Sequence, residues 1–332
     1  MHVMSNLEYS FIVSELSRQL AGKHFSRLRR LGEGVYRMKI GTAEIIIQLG
    51  VRLHATKYLE EAEEPDKFSE KTNKERDNAK LLGIEQLNDD RIVSFVFDRG
   101  SLVFEMFGEG NAVLLRDGGI LAAARYESWS DREIKAGMGY KPPKTAPSAE
   151  LALSDKYIIV SLMKLPLGKE YVIEALARAG IDEKTPGTSL SGNQVESLER
   201  ILGEIRSAPR PCAFYEGAKM KDFALARLTK HKTLETREFA TLSELADEYY
   251  FNLEKPNPRL EKLKERLEKQ KERLAELEVE EKRNREKGDY LYAHYPEAEQ
   301  VLALAKSGKF DEIEKKHSGT IDKKEKSAEV EL

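Results

Sequence analysis

The sequence predicts an α+β protein built on antiparallel sheets, followed by a helical region and then a coiled coil. Three observations support this fold class. Short runs of alternating apolar and polar residues, separated by glycines, fill residues 25–125, as in half-buried strands. Residues 151–207 change to amphipathic helical runs, and residues 260–277 carry leucines at the spacing of a heptad seam. Because the strand runs follow one another closely, we expect them to pair as antiparallel neighbours.

The first predicted element is a helix over residues 7–20, where Leu16 and Leu20 lie on one apolar face. Ser5 and Glu8 precede its apolar run in the Ser-x-x-Glu order of a capping box, which satisfies free amides at a helix start. The glycine-separated runs after this helix predict strands at residues 25–31, 35–40, 43–49 and 51–58.

The middle of the first region should contain one helix and a further group of strands. An acidic stretch, residues 60–70, leads into a predicted helix that ends near Leu82. Residues 83–115 then read as a hairpin of two alternating strands, and residues 119–125 as one more strand. These strands complete a meander of sequentially adjacent elements.

The chain divides at Pro142, Pro143 and Pro147, whose crowding favours extended linker geometry. A second helical region follows, with an apolar-periodic run that Gly180 terminates as a helix C-cap glycine. We expect an α+β domain at residues 1–147, a helical domain at 148–209, a short β/α segment packing back on the first domain at 210–255, a coiled-coil helix at 256–288, a small helical segment at 289–317 and a disordered charged tail at 318–332.

Two features of the helical region and the segment after it suit phosphate binding. The turn Pro166-Leu167-Gly168 between two short helices resembles a helix-hairpin-helix, whose amides can hold a phosphate, although Leu167 replaces the usual first glycine. Plain helix packing is the alternative. A basic stripe that could face RNA or solvent comprises Lys219, Lys221, Arg227, Lys230, His231 and Lys232.

The leucine seam of the predicted coiled coil runs from Leu260 to Leu277, with Gln270 breaking it. Almost all residues between the leucines are charged or polar, so the seam needs a partner helix. Gly288 is expected to interrupt this helix, and no returning helix is obvious after it. We therefore expect either that the chain is truncated or that the coil associates with a partner, including a second copy.

Composition excludes several classes of protein. The 332 residues suffice for about two domains, and the net charge of −3 gives no overall attraction to nucleic acid, so any RNA contact must use local basic patches. Cys212 is the sole cysteine, which excludes an internal disulfide and a four-cysteine zinc site. Without a signal-like or membrane-spanning run, a cytoplasmic protein with no membrane partner is expected.

Enzyme chemistry has little support in the sequence. The chain contains no Gly-x-Ser-x-Gly elbow, no phosphate loop ending in Gly-Lys-Ser/Thr and no His-Glu-x-x-His. Its six histidines are scattered along the chain. We expect no catalytic residues, no metal and no cofactor.

A string of polar residues in the fourth predicted strand could contact nucleic acid. Arg52, His54 and Thr56 alternate, so they share one face of the strand, and Lys57 follows them. Such side chains suit phosphate and sugar contacts, since arginine and lysine supply charge and the others supply hydrogen bonds. A solvated edge strand is the alternative.

Four segments resemble the NFACT-N and middle domains of the NEMF/RqcH ribosome-associated quality-control factors, formerly labelled fibronectin-binding proteins. The segments are RLHATK at residues 52–57, IEQLNDDRIV at 84–93, FGEGNAVL at 107–114 and YLYAHY at 290–295. The resemblance implies a factor that binds tRNA and large ribosomal subunits, including their rRNA and the peptidyl-tRNA that obstructs them. There it would support template-free tailing of the stalled peptide.

The resemblance also implies functional residues. Asp90 and Arg91 match the family's Asp-Arg pair, and Glu8 matches an acidic residue of its first helix. Two structural alternatives stay open: Glu8 could only close its capping box, and Asp90 could only stabilise a turn. The remaining residues expected to bind tRNA or other RNA are Arg52, His54, Thr56, Lys57, Gly110 and Asn111.

The chain departs from the family pattern in several places. Thr72-Asn73-Lys74 stands where the family has Leu-Arg-Lys, and neither the C-terminal NFACT-R domain nor a return helix is recognisable. NFACT-N also resembles the N-terminal domain of formamidopyrimidine-DNA glycosylases, but Met1-His2 and a single cysteine lack that enzyme's N-terminal proline and cysteine-rich finger. The competing interpretations are a coiled-coil interaction or adhesion module without an RNA role, and a DNA repair enzyme.

Overall fold

The structure is a computed structural model, and it describes residues 1–59, 61–144, 150–254, 258–322 and 327–330. The chain forms two units, Met1–Lys255 and Pro256–Leu332. The predicted α+β architecture with antiparallel sheets is confirmed within the first unit.

The first unit opens with helix α1 (Asn6–Leu20), which begins at the capping box formed by Ser5 and Glu8. Its apolar face, which includes Leu16 and Leu20, is buried. The four strands after it pair in sequence order into one antiparallel sheet. Each lies within two residues of its predicted ends: β1 (Phe25–Gly32), β2 (Val35–Ile40), β3 (Ala43–Gln48) and β4 (Arg52–Thr56).

Helix α2 (Lys67–Arg76) ends earlier than predicted, so the expectation of a helix reaching Leu82 was wrong. Asp77 leaves the helical conformation with a ψ of 118°, Asn78 follows with a φ of 52°, and residues from Leu81 onward pair with the next strand instead. The resulting second sheet has five antiparallel strands in sequence order. They are β5 (Leu81–Gln86), β6 (Ile92–Phe97), β7 (Gly100–Glu105), β8 (Asn111–Arg116) and β9 (Gly119–Ala123).

The remainder of the first unit is helical, apart from one small hairpin and a third sheet. The hairpin is formed by β10 (Glu127–Ser128) and β11 (Glu133–Ile134), and the helices are α3 (Ile158–Leu162), α4 (Lys169–Ala179) and α5 (Gly192–Ser207). The third sheet, in the order β13-β12-β14, contains β12 (Cys212–Glu216), β13 (Lys219–Ala224) and β14 (Glu235–Glu238), and it is followed by α6 (Leu242–Glu254).

Besides a smaller cluster on β6 to β9, the first unit has one large hydrophobic core that extends across its three sheets. It joins Leu16 of α1, Ile47 of β3, Phe95 of β6, Leu176 of α4 and Phe223 of β13. Helix α6 packs on both β4 and β13 and so connects the first and third sheets. Residues that the sequence divided among three segments therefore share one core.

The second unit begins with a long helix, α7 (Pro258–Ala293), which continues through Gly288. The predicted interruption was wrong, because one glycine disfavours a helix by only about 1 kcal/mol and its neighbours are good helix formers. The seam side chains Leu267, Leu274 and Leu277 are 51%, 58% and 45% exposed. Whether α7 pairs with another helix stays a prediction.

The end of the second unit is more ordered than the sequence suggested. Helices α8 (Tyr295–Lys306) and α9 (Phe310–Lys316) are followed by β15 (Gly319–Asp322) and β16 (Ser327–Val330), which pair antiparallel. Ile321 and Val330 of this hairpin pack on a small cluster with Phe310 and Ile313. The expected disorder of the tail was therefore wrong for these strands, because their few apolar residues find a local core.

Over the residues that the structure describes, no helix combines the length and the apolarity needed to cross a membrane.

Candidate functional site

The most concentrated group of buried charges in the first unit surrounds the imidazole of His2. Its Nδ1 lies 2.9 Å from Asp222 Oδ1, and its Nε2 lies 3.1 Å from Glu8 Oε1. Burial by itself lowers the pKa of His2, but the two carboxylates outweigh burial and raise it to about 10. His2 is therefore an imidazolium that bridges α1 and the third sheet.

Glu8 is 1% exposed and uses both carboxylate oxygens. Oε2 accepts a 2.6 Å hydrogen bond from the Ser5 amide, and Oε1 accepts a 2.8 Å bond from the Tyr171 hydroxyl. Burial raises the pKa of Glu8, but His2 and these hydrogen bonds lower it further than burial raises it. Glu8 thus closes the capping box and also connects α1 to α4.

The sequence pattern identified the capping box but missed the partners of Glu8. Tyr171 lies 163 residues from Glu8, and His2 lies 220 residues from Asp222. No local periodicity connects positions so far apart. The one available signal was the chemistry of a buried carboxylate, which needs a cation and hydrogen-bond donors.

The structure brings together three side chains that could ligate a cation, although the scattered histidines predicted no metal site. One donor atom each from His2, Glu170 and Asp222 lies within 4.8 Å of the others. However, Lys230 Nζ lies 2.6 Å from Glu170 and 3.1 Å from Asp222, and His2 is itself charged. The protein's own cations already neutralise these carboxylates.

Asp90 fixes the turn between β5 and β6 and attaches it to α1. Its Oδ1 accepts hydrogen bonds from the Arg91 amide at 2.7 Å and from Asn6 Nδ2 at 3.2 Å. Asn88 and Asp89 within this turn have φ values of 56° and 52°, a backbone that the Asp90 contacts hold in place. These contacts therefore support a turn-stabilising role for Asp90. They also fix the backbone position from which the Arg91 side chain extends.

The Arg91 guanidinium has no ion-pair partner among the residues that the structure describes. It lines a cleft of roughly 630 Å³ together with Glu8, Lys169 and Lys221. Lys169 is the first residue of α4, so the positive end of that helix dipole also faces this region. Glu170 and Asp222 also line this cleft, so it carries charges of both signs, and we call it the Arg91 cleft.

Arg52 and His54 do not face solvent, contrary to the expectation that they bind RNA directly. The Arg52 guanidinium lies 4.4 Å from the ring centroid of Tyr250, and the His54 ring stacks on Tyr250 at 5.7 Å. Burial lowers the pKa of His54 to about 3, so this imidazole is neutral. The reason is tertiary: α6 covers this part of the strand face.

The last two residues of the same string are more accessible. Thr56 Oγ1 donates to the Tyr58 carbonyl at 3.3 Å, which stabilises the end of β4. The side chain of Lys57 is 63% exposed, and its Nζ lies 3.7 Å from Glu248. Lys57 is thus the residue of this string that an RNA phosphate can reach most easily.

Gly110 and Asn111 form a buried turn. Asn111 is 1% exposed, its Nδ2 donates to the Arg125 carbonyl at 2.9 Å, and its Oδ1 accepts from the Ala112 amide at 2.9 Å. A Cβ on Gly110 would lie 2.4 Å from the Gly50 amide nitrogen, so this turn packs tightly against the turn between β3 and β4. Both residues act as structural contacts in this arrangement, and an RNA contact through them stays a prediction.

The helix-hairpin-helix-like turn packs on the start of α1. The Leu167 carbonyl accepts a 3.3 Å hydrogen bond from the Leu7 amide. Gly168 has a φ of 108°, and a Cβ there would lie 2.5 Å from Ser5 Cβ. These contacts give the turn a packing role, and its binding of phosphate remains a prediction.

Much of the basic stripe is neutralised by nearby carboxylates. Lys221 lies 2.5 Å from Glu216, and Arg227 lies 3.2 Å from Glu238. Lys230 and His231 both contact Asp222. These ion pairs favour the solvent-facing interpretation for that part of the stripe.

The His2 ion pairs predict that stability falls as pH rises above neutrality. Because the pKa of His2 is raised from 6.5 to about 10, the folded state holds a proton that the unfolded state loses. The stabilisation is complete below pH 6.5 and disappears as pH rises through about 10, with a slope of up to about 1.4 kcal/mol per pH unit. Urea denaturation between about pH 7 and 9 measures this slope, which His2→Gln should flatten. Equal slopes in the two proteins would contradict the assignment.

The fold and the Arg91 cleft define a class of protein: a three-sheet α+β unit whose N-terminal helix borders the cleft. The chain belongs to the family described as NFACT N-terminal and middle domains, whose sequence profile matches residues 9–331.

Two relatives are similar in sequence. The archaeal Rqc2 homolog aRqcH of Methanocaldococcus jannaschii is 28% identical over 345 residues, which cover 90% of this chain and 51% of that protein. The ribosome quality control complex subunit 2 of Schizosaccharomyces pombe is 32% identical over 125 residues, covering 33% of this chain and 12% of that protein. The chain thus spans about half the length of aRqcH.

Two solved structures share the fold. The fibrinogen binding protein from Staphylococcus aureus has a TM-score of 0.58 at 16% identity, covering 74% of this chain and 98% of that one. The N-terminal part of the fibronectin/fibrinogen-binding protein from Streptococcus suis has a TM-score of 0.52 at 16% identity, covering 75% and 99%. At this identity the likeness shows the fold alone.

Proposed function

We propose that this chain is a ribosome-associated quality-control factor of the cytoplasm that binds tRNA and the large ribosomal subunit obstructed by peptidyl-tRNA. Its contribution to template-free tailing of the stalled peptide is to hold tRNA, not to catalyse bond formation. The family assignment and the names of the two relatives support this proposal. Half of the length of aRqcH is matched, so the proposal concerns the part of such a factor that this chain represents.

The single observation that carries the proposal is the position of Arg91. Its guanidinium lines the Arg91 cleft without an internal ion pair among the described residues, while Asp90 holds the backbone from which it projects. A guanidinium without an internal ion pair can donate paired hydrogen bonds to phosphate or to a base edge. By contrast, His2 and Glu8 are engaged with each other, which supports a binding role over acid–base catalysis.

We expect Arg91→Ala to weaken tRNA binding by about tenfold or more, since one such contact contributes about 1–3 kcal/mol. The chain offers a matched control in Arg99, which also follows an aspartate but lies exposed in the turn between β6 and β7. Arg99→Ala removes the same charge and should change binding little. Filter binding with purified tRNA, and co-sedimentation with purified large subunits, measure the two variants. Equal affinities for parent, Arg91→Ala and Arg99→Ala would contradict the proposed role of Arg91.

A further inference from the structure

One face of the first sheet carries a second group of cations, which we call the basic face, and α6 covers the β4 end of this face. Cross-strand register places these residues on one side of the sheet, opposite the buried Met38, Ile45 and Leu53. The basic face consists of Arg27 and Arg29 on β1, Arg37 and Lys39 on β2, and Arg52 on β4.

Like charges stand directly opposite one another on the basic face. Arg29 pairs with Arg37, and Arg27 pairs with Lys39. Such pairs destabilise a sheet, because the side chains of opposed residues begin only about 5 Å apart. Glu44 shares this face, and its carboxylate lies 3.5 Å from Arg37 Nε and 3.7 Å from Lys39 Nζ on β2. Across the described part of the chain, Arg27 and Arg29 on β1 have no ion pair, so their charge is uncompensated.

The basic face also holds polar atoms that the described residues do not satisfy. Arg27 Nε and Gln48 Oε1 are buried without a hydrogen-bond partner within the described part of the chain. Unsatisfied buried groups are unfavourable, so a ligand that reaches these atoms when the two side chains turn outward would supply the partners they lack. A ribonucleotide backbone offers both kinds of partner, since its phosphate accepts hydrogen bonds and its 2′-hydroxyl donates one.

Arg27, Arg29 and Lys39 are half-buried and can reach a ligand, whereas Arg37 and Arg52 lie beneath the surface. Asp247 and Glu248 of α6 lie at the Thr56–Lys57 end of β4, where they contact Lys57.

We propose that the basic face binds the phosphodiester backbone of RNA without base specificity. The assignment to RNA rests on the proposed function, whereas the cationic surface itself does not. The face differs from the Arg91 cleft in its residues and in its role. The cleft selects tRNA, and the basic face supplies salt-dependent affinity for any RNA strand.

The test is a triple variant, Arg27→Gln, Arg29→Gln and Lys39→Gln, probed with an unstructured polyuridylate oligonucleotide. Its affinity should fall by about tenfold or more, and the slope of log K against log salt should lose about 0.7 for each contact removed. The thermal midpoint should stay the same or rise, because the opposed charges are relieved. A purely structural role predicts a lower midpoint instead.

A matched control removes three exposed lysines away from this sheet: Lys135→Gln, Lys156→Gln and Lys184→Gln. This variant has the same net charge as the first and should keep the parental affinity and salt slope. Equal weakening of both triple variants, or unchanged binding by the basic-face variant, would overturn the proposal. An oligothymidylate of the same length should bind more weakly than polyuridylate, and equal affinity would overturn the assignment to RNA.

Arg91→Ala separates this inference from the proposed function. It should weaken tRNA binding, whereas the basic-face variant should weaken polyuridylate binding to the same degree with or without Arg91→Ala. If tRNA binding resists Arg91→Ala but polyuridylate binding responds to the basic-face variant, the proposed role of the cleft fails and the basic face stands. If instead tRNA binding falls with Arg91→Ala but polyuridylate binding does not respond to the basic-face variant, only the basic-face proposal fails.

Discussion

Glu8→Ala is expected to lower the free energy of unfolding by about 3–5 kcal/mol, the range measured when one partner of a buried ion pair is removed. Three groups lose their acceptor together: the imidazolium of His2, the amide of Ser5 and the hydroxyl of Tyr171. Tyr171 is only 1% exposed, so its hydroxyl does not easily regain a partner from water. Urea denaturation of the first unit, followed by intrinsic fluorescence, measures the loss of unfolding free energy.

Two controls make this result specific. Glu8→Gln keeps an acceptor for Ser5 or Tyr171 but loses the charge beside His2, so its loss of stability should be smaller. Glu85→Ala removes an exposed carboxylate and should change stability by less than about 0.5 kcal/mol. If Glu8→Ala were as stable as Glu85→Ala, Glu8 would not hold α1 to α4.

Gly50→Ala should also be strongly destabilising, by about 3–5 kcal/mol, because backbone strain and overpacking act together. Gly50 has a φ of +74°, and a Cβ there would lie 2.3 Å from the Gly108 carbonyl oxygen of the facing turn. The clash is with backbone, which cannot rotate away as a side chain does. Thermal or urea denaturation measures the change.

Gly118→Ala isolates the strain from the clash. Gly118 has a similar φ of +76°, but a Cβ there would meet nothing within 4 Å. Gly118→Ala should lower the free energy of unfolding by only about 1 kcal/mol, since only the backbone conformation is unfavourable. If Gly50→Ala were no worse than Gly118→Ala, the two glycine turns would not be in close contact.

Local patterns were sufficient for much of the fold. The strands from Phe25 to Thr56 and the start of α1 follow directly from alternation, glycine turns and a capping box. β5 was missed, because Gly83 and a register shift beside it weaken its alternation and leave the segment resembling the end of a helix. The hairpin of β15 and β16 was missed because its core is small and lies in a sequence that is otherwise charged.

The site was harder to predict than the fold, since its contacts join distant parts of the chain. A strand pattern shows that Arg52 and His54 share a face but not what covers it, and the cover is Tyr250 of α6. Arg91 was found through resemblance to a family. The pairing of His2 with Asp222 had no local sequence signal.

The long-range contacts of His2 and His54 affect how the first unit folds during its synthesis. His2 and His54 are synthesised long before their partners Asp222 and Tyr250, which lie at the far end of the unit. Contacts of such long sequence separation form slowly, and they cannot form before both ends have left the ribosome. During translation the His2–Glu8 pair therefore stays without Tyr171 and Asp222 until those later segments have been synthesised.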